Sequence, residues 1–168
     1  ASLSQVSSKI SEGEFMQLTH ENNIHITESD YIKIISLKTA ELFAAAMKIP
    51  AILTGKSSKT ISNLNKLGLY FGIIFQIMDD YLDYFGSRVT GKKNGKDFYE
   101  GKITLPIILL INKATDNEII FIKRIFRKEK RLKKDYVKVM ILMKKYNING
   151  DIKKFCNKYN KKSQKLLT

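Results

Sequence analysis

Cysteine, histidine, proline and long apolar runs are all scarce in this chain, and each shortage excludes a class of protein. A single cysteine, Cys156, rules out a disulfide framework. With only His20 and His25 beside it, the chain has no set of residues for a zinc site or a cysteine nucleophile, and both histidines fall near an expected helix-to-helix connection. A reduced, cytoplasmic setting is the default for such a composition. The longest apolar stretch, residues 68–78, is too short to span a bilayer and is interrupted by Gln76. Only two prolines occur in 168 residues, and strand-like alternation is rare, so the chain is expected to be helical almost throughout.

Periodicity predicts helices over about residues 2–20, from after Thr27 to about Leu53, and over about 60–85, 104–114, 116–128, 132–146 and 150–166. Thr27 and Asp30 have the spacing of a capping box, and Pro50 marks an expected bend. The basic charge is uneven. Residues 1–120 hold 13 lysines and arginines against 13 acids, and residues 121–168 hold 17 against 3, so the net charge of +14 belongs to the tail. Such a tail suits nucleic acid or an anionic membrane surface. Only four of the thirty basic residues are arginine, the side chain best matched to phosphate and base edges, which counts against nucleic acid. The tail is also rich in asparagine and isoleucine, and the codons of an adenine- and thymine-rich genome explain lysine, asparagine and isoleucine together better than selected binding does.

The chemistry concentrates at residues 75–83, Phe-Gln-Ile-Met-Asp-Asp-Tyr-Leu-Asp, where three carboxylates and an amide interrupt an apolar stretch. Buried carboxylates are costly without a counter-charge. On a helix turning about 100° per residue, with Asp79 at the origin, Asp83 falls near about 40°, Gln76 near about 60° and Asp80 near about 100°. All four share one quadrant, and a cation between the carboxylates would relieve their repulsion. Hard oxygen donors suit Mg²⁺, which binds through one or two carboxylates together with water and phosphate oxygens. The interleaved apolar residues count against the competing reading of three aspartates on a solvated face. The segment Gly91-Lys92-Lys93-Asn94-Gly95-Lys96-Asp97, with Gly101-Lys102 beyond it, follows directly. Glycine admits an anion close to the backbone and lysine supplies point charge, so this loop reads as a diphosphate clamp.

These residues resemble the trans-isoprenyl diphosphate synthases, or polyprenyl synthetases. Phe75-Gln76 with Asp79-Asp80-x-x-Asp83 is similar to the family's second aspartate-rich motif, and Gly91-Lys92, Gly95-Lys96-Asp97, Glu100-Gly101-Lys102 and Thr104-Leu105-Pro106 follow its downstream pattern. Tyr31 through Lys38-Thr39-Ala40 and Leu42-Phe43 resemble the helix whose lysine and threonine touch the allylic diphosphate. Gly13-Glu14-x-x-Gln17 resembles a segment of longer-chain, octaprenyl-type members. The related terpene cyclases carry a different second motif, which favours a chain-elongating synthase.

The resemblance implies an all-α fold, the C-terminal part of an isoprenoid-synthase helical bundle, and Mg²⁺-dependent head-to-tail condensation of an allylic diphosphate with isopentenyl diphosphate. By the same carry-over Asp79, Asp80 and Asp83 are the metal-binding and catalytic carboxylates. Lys38, Thr39, Gln76, Lys92 and Lys102 are the diphosphate-binding residues. Asp79-Asp80 is the only Asp-Asp pair, whereas the family uses two facing aspartate motifs. The chain is therefore expected to be the C-terminal half of a synthase domain that is a homodimer when whole, inactive by itself, and with helix faces left uncovered. A non-catalytic subunit or gene remnant, or a basic module binding nucleic acid or membrane through residues 121–168, are the alternatives. Peripheral membrane association would also suit an enzyme releasing a long prenyl product.

Overall fold

The computed structural model describes residues 3–86 and 94–167, and all regular structure among them is helical. The helices are α1 (Leu3–Thr19), α2 (Glu28–Ile35), α3 (Glu41–Leu53), α4 (Ser58–Phe85), α5 (Lys96–Glu100), α6 (Leu105–Ile111), α7 (Asp116–Phe126), α8 (Lys133–Lys145) and α9 (Ile148–Gln164), with a π-helical turn at Ser36–Ala40 between α2 and α3. The expected all-α class is what forms. Two elements escape the periodicity. The π turn interrupts what reads as one helix from Thr27 to Leu53, because one extra residue in a turn leaves no mark in residue type. α5 forms inside what reads as a loop. α3 continues through Pro50 to Leu53.

The chain divides into two compact units, the first made of Ala1–Leu18, Ile32–Ile77 and Phe155–Thr168 and the second of Thr19–Tyr31 and Met78–Lys154. In the first unit Val6, Ile34, Ile35, Ala40, Ala44, Ile73 and Ile77 are buried. Phe43 of α3 packs against Phe71 and Phe75 of α4, with ring centroids 5.4 and 5.3 Å apart. Tyr70 meets Tyr159 of α9 at 6.0 Å. Several large apolar side chains of this unit remain exposed, among them Leu3, Phe15 and Leu18 on α1 and Phe71 and Phe75 on α4.

The second unit is built around α6, whose residues from Leu105 to Leu110 are all buried. A helix apolar on every side is stable only when surrounded, and each such side chain contributes roughly 1.5–3 kcal/mol of transfer free energy. Thr104, in extended conformation, opens α6, and Pro106 occupies its first turn, where no backbone donor is missed. Phe98 of α5 is fully buried and forms edge contacts with Phe126 and Tyr136 at 5.6 and 5.5 Å. α2 starts as its sequence indicates. The Thr27 N–H reaches the Asp30 carboxylate at 3.0 Å, and the Asp30 N–H reaches the Thr27 hydroxyl at 3.1 Å.

α7 opens on a second capping box, in which the Glu118 carboxylate accepts the Thr115 N–H at 3.0 Å. The same carboxylate takes Lys145 at 2.7 Å and the Tyr146 hydroxyl at 2.5 Å, tying the start of α7 to the end of α8. Lys145 above all, with Tyr146 and the cap, holds the Glu118 pKa down at about 2. A folded-state value below the ordinary one stabilises the protein fully above the ordinary carboxylate value, and this contribution disappears as pH falls towards the depressed value. Glu118→Gln is therefore expected to lower the urea midpoint at neutral pH and to converge with the parent near pH 2. A deficit of constant size across that range would show that the carboxylate charge is not what ties α7 to α8.

Candidate functional site

The three aspartates of α4 differ in burial, which their shared quadrant did not indicate. Asp79 is exposed, Asp83 half-buried, and Asp80 only 4% exposed. On the open side Met78 and Leu82 also stay exposed, so apolar residues near the aspartates do not all mark a buried face. Asp80 accepts the Tyr31 hydroxyl at 2.6 Å. Asp83 accepts the backbone N–H of Lys96 at 3.0 Å and of Asp97 at 3.1 Å, and its own carbonyl accepts the Gly95 N–H at 2.7 Å. The side chain thus satisfies the free donors at the start of α5 and fastens that helix to the last turn of α4.

The fastening brings Asp97 beside the aspartate turn. Burial raises the Asp83 pKa, the N–H groups of Asp97 and Lys96 oppose the rise, and the Asp79 charge adds to it. Burial and then the Asp83 charge raise Asp97 to about 6, against the opposing pull of Lys102 at 3.9 Å. The charge distribution is that of a carboxylate cluster short of positive charge. Its donors are all oxygen, which fits Mg²⁺. Among the described residues no three acidic, histidine or cysteine side chains are grouped closely enough to hold a metal ion. The set fits an ion bound through one or two carboxylates, with water and phosphate filling the remaining positions.

Lys102 is held by its neighbours. Its Nζ lies 2.7 Å from Glu100, and its N–H donates to the Asp97 carbonyl at 2.9 Å. Gly101 turns the chain with φ +84°, and a Cβ there would also run into Asn22 and Arg131. Asn22 donates its N–H to the Gly101 carbonyl at 2.9 Å. Arg131, 6% exposed, donates to the carbonyls of Tyr99 at 3.0 Å and Phe126 at 3.1 Å and to the Asn22 side chain, and lies 5.1 Å over the Phe126 ring. A buried guanidinium whose terminal nitrogens are held by carbonyls is a fixed post, and the Lys102 turn is built against it.

In the first unit, Lys38 and Thr39 lie in the π turn. Lys38 Nζ donates to Gln17 Oε1 at 2.7 Å and lies 3.3 Å from Glu14. A Cβ at Gly13 would collide with the Lys38 backbone, so α1 passes the π turn at backbone distance. The Gly13-Glu14-x-x-Gln17 segment therefore surrounds Lys38. The Thr39 hydroxyl donates to Gln76 Oε1 at 2.8 Å.

Of the residues singled out from sequence, Asp79, Asp80, Asp83 and Lys102 lie in the second unit and Lys38, Thr39 and Gln76 in the first, while Lys92 and Gly91 lie outside the described residues. Sequence reasoning assigned no role to Asp97, Tyr31, Asn22 or Arg131. Asp97 stood inside the Gly95-Lys96-Asp97 pattern and Tyr31 at the head of the Lys38 segment, so both had a signal. Arg131 had none, because it resembles its basic neighbours until the fold buries it.

Comparison with known proteins finds prenyl diphosphate synthases. Octaprenyl diphosphate synthase of Escherichia coli (strain K12) is 38% identical over 122 residues, 72% of this chain and 38% of the relative. Geranylgeranyl diphosphate synthase of Methanosarcina mazei is also 38% identical, over 118 residues, 70% of this chain and 36% of the relative. Among solved structures, a decaprenyl diphosphate synthase from Rhodobacter capsulatus matches 98% of the chain with a TM-score of 0.90 and 36% identity, over 51% of its own length. A polyprenyl synthase from Caulobacter crescentus CB15, complexed with calcium and isoprenyl diphosphate, matches 98% of this chain with a TM-score of 0.91 and 34% identity, again over 51% of its own length. The chain thus spans about half of these solved structures and under two fifths of the two curated relatives. The Polyprenyl synthetase profile matches residues 1–143, and the chain belongs to the polyprenyl synthetase family.

Proposed function

We propose that the chain carries one side of the site at which an allylic diphosphate condenses head to tail with isopentenyl diphosphate. The observation that carries this reading is the double acceptance by Asp83 of the Lys96 and Asp97 N–H groups, which gathers Asp79, Asp83, Asp97 and Lys102 in one unit. Asp79, the exposed carboxylate, is the direct Mg²⁺ ligand, and Asp80 and Asp83 complete the metal-binding set by ligating or by holding metal-bound water. Tyr31 fixes Asp80, and Lys96 and Asp97 fix Asp83, so their carboxylates need little reordering on binding. When bound, Mg²⁺ supplies Lewis-acid stabilisation of the charge that leaves with diphosphate. Lys102 and Lys92 contribute point charge to the diphosphate oxygens. Lys38, with Thr39 and Gln76, forms a further phosphate-binding set in the first unit.

Lys38 and Lys102, the two assigned lysines among the described residues, are held by partners that a diphosphate could replace, which supports the assignment. Lys38 rests on Gln17 and Glu14 and Lys102 on Glu100. Glu14 is 53% exposed and Glu100 41%, and pairs this open to water contribute about 0–1 kcal/mol, so a diphosphate can displace them.

Titration calorimetry of the purified chain with inorganic diphosphate is expected to show binding that requires Mg²⁺, weakened about tenfold or more by Asp79→Asn. Binding indifferent to both Mg²⁺ and the substitution would remove the metal role, and the single Asp-Asp pair would then favour a non-catalytic subunit of the family. With labelled isopentenyl diphosphate, an allylic primer and Mg²⁺, these 168 residues alone should give no elongation, and robust turnover would contradict a one-sided site. Tyr31→Phe removes a charge-assisted hydrogen bond to a buried carboxylate and is expected to cost about 1.5–3 kcal/mol in urea unfolding. An unchanged midpoint would mean that Asp80 does not depend on the phenol.

A further inference from the structure

The outer face of α8 joins exposed aliphatic side chains to lysine in a way the composition does not reveal. Val137 is 46% exposed and Ile141 62%. Four residues apart, they form a stripe, flanked on one side by Lys133 and Lys144 and on the other by Lys134 and Lys138. The opposite face carries Asp135, Val139 and Met143, all buried. Beside the stripe opens an apolar groove of about 500 Å³, lined by Phe85, Val137, Met140, Ile141 and Met143, with Lys144 among its walls. Several acids of this unit are already engaged: Glu118 by Lys145, Asp135 by Lys128, and Asp151 by Lys113 and Lys154. The lysine charge along α8 therefore exceeds the local negative charge.

We propose that this face of α8 docks the protein on an anionic lipid surface, with Val137 and Ile141 entering the interface, the lysines meeting lipid phosphates and the groove receiving an acyl chain. Charge complementarity identifies the partner as anionic, and the exposed aliphatic stripe identifies it as lipid. A nucleic-acid backbone offers nothing to Val137 or Ile141, and α8 carries no arginine. The inference does not rest on the proposed reaction and is read out by lipid binding alone.

The test is co-sedimentation of the full 168-residue chain with vesicles of phosphatidylcholine containing phosphatidylglycerol, beside vesicles of phosphatidylcholine alone and a duplex DNA at the same salt. Binding to the mixed vesicles is expected, falling steeply on pure phosphatidylcholine. Lys133→Gln and Lys144→Gln should each weaken it about fivefold, corresponding to about 1 kcal/mol per lysine near an anionic surface. Ile141→Ser should weaken it several-fold while leaving the thermal midpoint unchanged, since that side chain is mostly in water. No binding to mixed vesicles, binding untouched by Ile141→Ser, or equal retention on DNA would each overturn the proposal, the last in favour of a general polyanion surface.

Discussion

Asp83 accepting the N–H groups of Lys96 and Asp97 is the constraint from which the described part of the aspartate site follows. A helix of five residues has too few internal hydrogen bonds to persist by itself, and α5 exists because its start is fastened to α4 and its Phe98 is sunk among Phe126 and Tyr136. The fastening brings Asp97 against Asp83, and burial followed by the Asp83 charge raises the Asp97 pKa, while burial and the Asp79 charge raise that of Asp83. A purely structural joint would avoid placing like charges together. This one concentrates them, which is what the proposed Mg²⁺-binding role would require.

The lysines are handled by a common device in both units. Lys38, within a π turn, is held by Gln17 and Glu14, and Lys102, directly after a glycine turn backed by Arg131, is held by Glu100. In each case an irregular backbone element aims the lysine and a partly exposed carboxylate holds its charge. Regular helix would aim successive residues about 100° apart, whereas a π turn or a left-handed glycine changes direction within one or two residues. Such irregularity is retained where position matters more than backbone regularity.

The basic tail divides once its surroundings are known. Lys128, Lys145 and Lys154 pair with acids, Arg131 is buried as a post, and Lys133, Lys134, Lys138 and Lys144 flank the exposed stripe of α8. Composition treats these residues alike. Only burial and pairing distinguish a lysine that ties helices together from one that faces solvent beside an aliphatic patch. Among the described residues no helix is long and apolar enough to cross a membrane, so lipid contact through α8 would be interfacial.

Sequence alone was sufficient for whatever depends on local pattern. The 3.6-residue period located the long helices, Thr27 and Asp30 located the start of α2, and the spacing of Asp79, Asp80 and Asp83 put the three carboxylates on one side of α4. The same residues were enough to place the chain in its family. Tertiary structure decided what depends on encounters across the chain: that Tyr31 meets Asp80, that Gln17 meets Lys38, that Asp97 joins the aspartate turn, and that Arg131 backs Lys102. These contacts join residues from 14 to 49 positions apart. No local propensity encodes them, because their free energy arises only when burial removes water from both partners at once.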